Sequence, residues 1–134
     1  MRVVVDTGVF SAALSRRRRA ALDEPVGLLG GNQLFLAAAS VAELRYGAIV
    51  AEWGPARRDR LERAIGATTI IPVSDALLST VAELRAACRR IGHPLADRIH
   101  SNDLWIAGSA VHVGLALVTA DRVFAETPGL TLLP

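Results

Sequence analysis

Short β-branched or apolar runs alternate along this chain with longer stretches in which apolar residues recur every three or four positions. Arg2 to Val5 is a run of the kind needed by a strand buried on both faces of a parallel sheet, and it stops at Asp6-Thr7. Helical sequence is expected from Val9, and a second short helix from Ala20 to about Leu29, where Gly30-Gly31-Asn32 breaks it. Gln33 to Ala38 reads as the next strand. Ser40-Val41-Ala42-Glu43 has the form of a capping box, predicting a helix through about Trp53 with Val41, Leu44 and Ala48 on one face. Gly54-Pro55 ends that helix and starts another, because proline is tolerated at a first helical position. In the sequence that follows, Leu61 and Ile65 stand at helical spacing among charges, so one narrow side is expected to be buried.

Thr68 to Val73 is the third predicted strand, and Asp75 the expected cap of a long helix. Leu77, Val81, Leu84, Cys88 and Ile91 form its apolar stripe, which ends at Gly92. His93 to His100 reads as a loop, and Ser101 or Asn102 as the cap of a helix to about Val113 that is apolar nearly all round and therefore belongs in the core. After Gly114, Leu115 to Thr119 is the fourth strand, Asp121 to Glu126 suits a single helical turn, and Thr131 to Leu133 a fifth, edge strand. Strands alternating with helices from end to end predict the α/β class: a three-layer α/β/α sandwich around a parallel sheet of roughly four to five strands. No repeat, linker or low-complexity segment interrupts the pattern, so residues 1–134 are expected to form one domain.

Composition narrows the function classes. With 51% hydrophobic and 21% charged residues, the 134-residue chain can bury a substantial core. Its most apolar stretch, Trp105 to Val118, is shorter than a bilayer span and carries Ser109, His112 and two glycines, so no membrane segment is expected. Only three valines separate Arg2 from Asp6, too few for a signal-peptide apolar region. The single Cys88 can form no intramolecular disulfide and fits a reduced, cytoplasmic location.

All fifteen basic residues are arginine, which a GC-rich genome explains and which also suits phosphate recognition by guanidinium forks. Net charge is +2, and setting aside Asp6, Glu43, Asp103 and Asp121 leaves nine acids against fifteen arginines, a balance of +6. The remaining surface is thus basic and suited to an anionic partner. Arg16, Arg17, Arg18 and Arg19 could track an RNA backbone or simply form a solvated face.

The four acids set aside share one kind of place. Asp6 in VVVDTG, Glu43 in SVAEL, Asp103 in SNDLWIA and Asp121 in LVTADR each sit where a predicted strand ends or a predicted helix begins. Singly, each has a structural reading as a cap, a capping-box partner or a charge at a helix N-terminus. Together they would gather at the carboxyl edge of a parallel sheet, where open α/β folds bind ligands. Carboxylates crowded there repel one another unless protonated or bridged by a cation, and hard oxygen donors favour Mg²⁺ or Mn²⁺.

VVVDTGVFSAAL, SVAELRYG, NDLWIAGSA and LVTADRVFAETPGLTLL, in this order and spacing, resemble the PIN-domain ribonucleases, specifically the VapC-type toxins of toxin–antitoxin pairs. The resemblance spans essentially the whole chain. It implies a sheet in which the first and fourth strands are neighbours, bringing Asp6 and Asp121 together while Glu43 and Asp103 approach from helix N-termini. It further implies a divalent-metal endoribonuclease leaving 5′-phosphate and 3′-hydroxyl ends, a VapB-like antitoxin as partner, and a homodimer. In that reading Asp6, Asp103 and Asp121 are metal ligands, and Glu43 a further ligand or the group that orients the nucleophile. The cation lowers the pKa of a bound water and neutralises charge on the phosphodiester. Thr119 and Ser40 are candidates for fixing carboxylate orientation. One departure stands out: where the family usually carries Asn or Ser two residues after the first acid, this chain has Gly8, so a hydrogen bond made there is lost or supplied by Thr7 or water.

Other residues invite roles. His100 and Asp97 precede the Asp103 motif and could serve as a general acid or extra ligand, or be plain loop residues. Tyr46 and Trp53 could stack on bases or pack in a core or dimer. His93 and His112 are too isolated for a zinc site. The competing class is a non-catalytic regulatory or partner-binding module of the receiver type, using the acids for Mg²⁺ only. Receivers need adjacent acids after the first strand and a lysine near the last, whereas Thr7 follows Asp6 and the chain has no lysine. A haloacid-dehalogenase-like phosphatase would need an Asp where Gly8 stands.

Overall fold

Alternation along β1 (Arg2–Val5) sends Val3 and Val5 to one face of a sheet and Val4 to the other, and all three are fully buried. A strand so enclosed has to be central, and it is. In the computed structural model, which describes residues 1–15 and 23–133, β1 lies between β2 (Gln33–Ala37) and β4 (Leu117–Val118). β3 (Thr69–Ile71) flanks β2 and β5 (Leu132–Leu133) flanks β4, giving the order β3-β2-β1-β4-β5 with every pairing parallel. The chain steps outward from β1 to β3 and returns to the other side of β1 with β4. Strand order therefore reverses between β1 and β4, the crevice position at which such sheets bind ligands.

Helices cover both faces. On the Val3/Val5 face, α1 (Thr7–Ala13), α2 (Asp23–Gly27), α3 (Ala38–Val50) and α4 (Pro55–Gly66) bury Phe10, Val26, Leu44 and Leu61 against Leu36 and Val118. On the Val4 face, α5 (Asp75–Arg90) and α6 (Ser101–Val113) bury Leu77, Leu84, Ile106 and Ala110 against Ala37, Ile71 and Leu117. This is the expected three-layer parallel α/β arrangement. Among the described residues, no helix is long and apolar enough to cross a membrane.

Several boundaries differ from expectation, each for a local reason. β2 passes into α3 without a loop: Ala37 is extended (φ −65°, ψ 147°) and Ala38 is already helical. Ser40 and Glu43 consequently lie inside the helix, Ala37 occupies its N-cap without a side-chain bond, and the expected capping box does not form. β3 stops at Ile71 because Pro72 has no N–H to give a ladder. Ser74 caps α5 in place of Asp75, its hydroxyl accepting the Leu77 N–H at 3.1 Å. The stripe of α5 is buried through Cys88, but Ile91 lies beyond the helix end and is 62% exposed. Ser101 and Asn102 are the first helical residues of α6, with His100 at the N-cap. The segment from His93 to His100 contains two 3₁₀ turns, Pro94–Ala96 and Arg98–His100. α1 begins at Thr7, two residues before Val9. Arg16 to Arg19 and the start of the helix expected from Ala20 lie outside the described residues.

Gly108 lets α5 and α6 approach. A Cβ at Gly108 would stand 2.7 Å from Cγ2 of Val81, a β-branched side chain with little freedom to turn aside. Gly108→Leu gains about 1 kcal/mol of helix propensity but overpacks this contact by about 1–3 kcal/mol or more, so a net loss is expected in the urea midpoint. Adding Val81→Ala should recover part of it, and a double variant no better than the single one would locate the strain elsewhere.

Candidate active site

Parallel pairing of Val5 with Val118 brings the two strand ends out side by side. The Asp6 N–H donates to the Val118 carbonyl at 3.0 Å, and the Asp6 carbonyl accepts the Phe10 N–H at 3.0 Å, which opens α1. The Asp6 side chain makes no cap bond to that helix. It is met by Thr119, whose hydroxyl donates to Asp6 Oδ2 at 2.7 Å and accepts the Asp121 N–H at 3.0 Å. One hydroxyl thus joins the acid after β1 to the backbone of the acid after β4. Asp121 is further set by its Oδ1, which accepts the Val123 N–H at 2.9 Å and caps the 3₁₀ turn Arg122–Phe124.

Glu43 reaches the same place from α3 and Asp103 from the first turn of α6. Both are half-buried, and all four acids line one cleft of about 640 Å³. Asn102 lies beside the Glu43 carboxylate and favours its charged form. His100 Nδ1 lies 3.6 Å from Asp103 Oδ2.

Crowding shows in the electrostatics. Burial holds the Asp6 carboxyl, 8% exposed, above its ordinary value; Asp103 and Asp121 push it further up, while the Thr119 hydroxyl and the Gly8 N–H pull it down. Burial and then the charges of Asp103 and Asp6 raise Glu43, against the opposing pull of Asn102. Asp103 is raised by burial and by Asp121, and lowered by His100. Three carboxyls held above their normal range by burial and by one another want a positive charge. The donors are all oxygen, the chemistry that suits Mg²⁺ or Mn²⁺. Among the described residues, no three His, Cys, Asp or Glu side chains stand close enough to enclose an ion by themselves.

The remaining sequence candidates separate. Ser40 is fully buried, and its Oγ accepts from the Thr7 hydroxyl at 2.9 Å, which pins α1 to α3 and does not touch a carboxylate. A Cβ at Gly8 would meet nothing nearer than Asp6 Oδ2 at 4.0 Å, so a larger residue has room. Asp97 caps the Arg98–His100 turn through the Ile99 N–H and is exposed. Tyr46 is 68% exposed and in no core. His93 is buried away from the acids: Nδ1 accepts the Leu95 N–H, which leaves Nε2–H to donate to the Ala125 carbonyl at 2.7 Å. Arg16 to Arg19 lie outside the described residues.

Two participants were invisible in the sequence. Asn102 read only as a possible cap. Arg57 read as one charge among many on α4, yet its guanidinium lies 3.8 Å above the Trp53 ring, and both residues line the cleft that holds the acids.

A sequence profile of the PIN domain matches residues 3–130 of the chain. Ribonuclease VapC5 of Mycobacterium tuberculosis (strain ATCC 25618 / H37Rv) is 33% identical over 128 residues, 94% of this chain and 87% of that protein. Among solved structures, VapBC-5 from Mycobacterium tuberculosis, a member of the VapBC family of toxin-antitoxin systems, superposes with a TM-score of 0.68 at 30% identity, covering 97% of this chain and 93% of that one. VapBC2 from Rickettsia felis, bound to a DNA fragment from its promoter, has a TM-score of 0.79 at 24% identity over 99% and 98% of the two chains, a likeness of fold. The chain belongs to the PIN-domain family, in its VapC branch of ribonuclease toxins.

Proposed function

We propose that this chain is a Mg²⁺- or Mn²⁺-dependent endoribonuclease whose cation is held by Asp6, Asp103 and Asp121, directly or through water, with Glu43 handling the proton of the attacking water. The observation that carries this reading is the convergence of four acids, from four separate stretches of sequence, on one cleft at the switch point of the sheet. A bound divalent cation supplies acidification of water and neutralisation of the phosphodiester charge. The chain supplies the rest. Thr119 fixes the Asp6 carboxylate and, through the Asp121 N–H, sets the spacing of the two acids. Glu43, its carboxyl raised by burial, is suited to take the proton as the water oxygen bonds to phosphorus. The bond to the 3′ oxygen breaks, leaving a 5′-phosphate and a 3′-hydroxyl.

We infer a VapB-like antitoxin as the partner, because the chain's structural neighbours carry VapBC names, including VapBC-1 from nontypeable Haemophilus influenzae and VapBC from Salmonella typhimurium. Assembly as a homodimer of single-domain chains belongs to the same reading. The test is RNA incubated with wild type plus Mg²⁺, with wild type plus EDTA, and with Asp103→Asn plus Mg²⁺. Cleavage is expected in the first alone, with Asp103→Asn down at least about a hundredfold and 5′-phosphates at the mapped ends. Cleavage indifferent to EDTA, or undiminished in the variant, overturns the proposal.

A further inference from the structure

The catalytic cleft does not end at the acids. Beyond Glu43, α3 runs on to Val50, roughly 10 Å of helix, and the cleft follows it to Trp53 and Arg57. Trp53 is placed there by the way α3 stops. The Trp53 N–H donates to Ala48 O and the Glu52 N–H to Ile49 O, the paired bonds of a Schellman motif. Glu52 takes the left-handed position (φ 54°) usually given to glycine. The indole packs partly against the core beneath and carries the Arg57 guanidinium above it. Arg57 stands in the first turn of α4, where the helix dipole disfavours a cation. Among the described residues, no carboxylate pairs with it. A cation set against the dipole, paired with no carboxylate and held over an aromatic ring at the wall of the cleft, is placed to meet an anion there.

We propose that Arg57 and Trp53 form a nucleotide subsite for single-stranded RNA at this end of the cleft. The guanidinium edge binds a backbone phosphate flanking the cut, and the adjoining base lies against the Arg57–Trp53 stack. The inference rests on the ribonuclease reading above and adds where the strand is gripped. A ligand that touches both the acids and Arg57 must be extended, as a polynucleotide is. With Arg58, Arg60 and Arg63 against Asp59 and Glu62, α4 as a whole is also net positive.

The test uses a labelled single-stranded RNA oligonucleotide that the wild type cleaves, with steady-state kinetics in Mg²⁺ and anisotropy binding in EDTA. Arg57 is exposed, so Arg57→Ala should fold normally. It is expected to raise KM about tenfold with kcat within about twofold, and to lower the salt slope of binding by about one. Arg57→Lys keeps the charge without the guanidinium face and should fall between, as should Trp53→Phe, which leaves a smaller ring and a weaker cation–π partner. Arg89→Ala, on α5 and outside the cleft, is the charge control. Cleavage with unchanged KM in Arg57→Ala overturns the subsite and leaves the ribonuclease reading standing. Arg57-dependent RNA binding without cleavage does the reverse. Neither binding nor cleavage by the wild type overturns both. Loss of antitoxin binding in Arg57→Ala with RNA affinity unchanged assigns this end to the protein partner and overturns the subsite.

Discussion

Asp6→Asn should lower kcat/KM for RNA by about a thousandfold or more, the loss of several kcal/mol of transition-state stabilisation, while the protein stays folded and becomes more stable without metal. The substitution is close to isosteric, and the amide oxygen can still accept from the Thr119 hydroxyl, so the tie between β1 and β4 survives. What disappears is a buried charge that burial, Asp103 and Asp121 all oppose. At neutral pH in EDTA, the variant should therefore unfold at a higher urea concentration than wild type. Asp6→Ala is a poorer probe, because it also leaves the Thr119 hydroxyl without its acceptor. Full cleavage by Asp6→Asn would remove this acid from the reaction, and a lower urea midpoint would show that its charge is not under strain.

The order of elements was legible because each is written in a period the sheet and helices impose. Val3, Val4 and Val5 announce a central strand, and Leu77, Val81, Leu84 and Cys88 announce one buried face of α5. Boundaries were less so. Nothing in Ala37-Ala38-Ala39 marks the point where strand becomes helix, so the Ser and Glu downstream borrowed the look of a cap while lying inside α3. The consequence for the site was real: Ser40 spends its hydroxyl on Thr7, not on a carboxylate, and Glu43 is freed from any capping duty. Asp6 and Asp121 could be placed together only through the family likeness, since which strands neighbour one another is a property of crossovers and not of any local pattern. Trp53 and Arg57 are four residues apart, yet a helix end and a proline intervene, so no periodicity rule applies across them. Their contact depends on the turn at Glu52, a residue whose left-handed backbone no sequence rule anticipates.

The stability of the wild type should respond to pH and to divalent cations in opposite senses. Asp6, Glu43 and Asp103 have carboxyl groups raised above their unfolded values. Between the ordinary carboxylate range and those raised values the folded state binds more protons than the unfolded one, so these groups lower stability as pH rises through that window. In EDTA, the difference in urea midpoint between Asp6→Asn and wild type should thus be largest near pH 7.5 and shrink as pH falls toward 4. A cation reverses the trend, because it takes the place of the protons and binds more tightly as they leave. At a Mg²⁺ or Mn²⁺ concentration a hundredfold above Kd the gain is about 2.7 kcal/mol, on the order of 10 °C in Tm for a chain of this length. That rise should be present at pH 7.5, smaller near pH 5, and much reduced in Asp6→Asn and Asp103→Asn. A wild-type Tm that ignores both cations at pH 7.5 would mean that Asp6, Glu43 and Asp103 relieve their crowding without a cation, and the metal-dependent mechanism would have no site to act from.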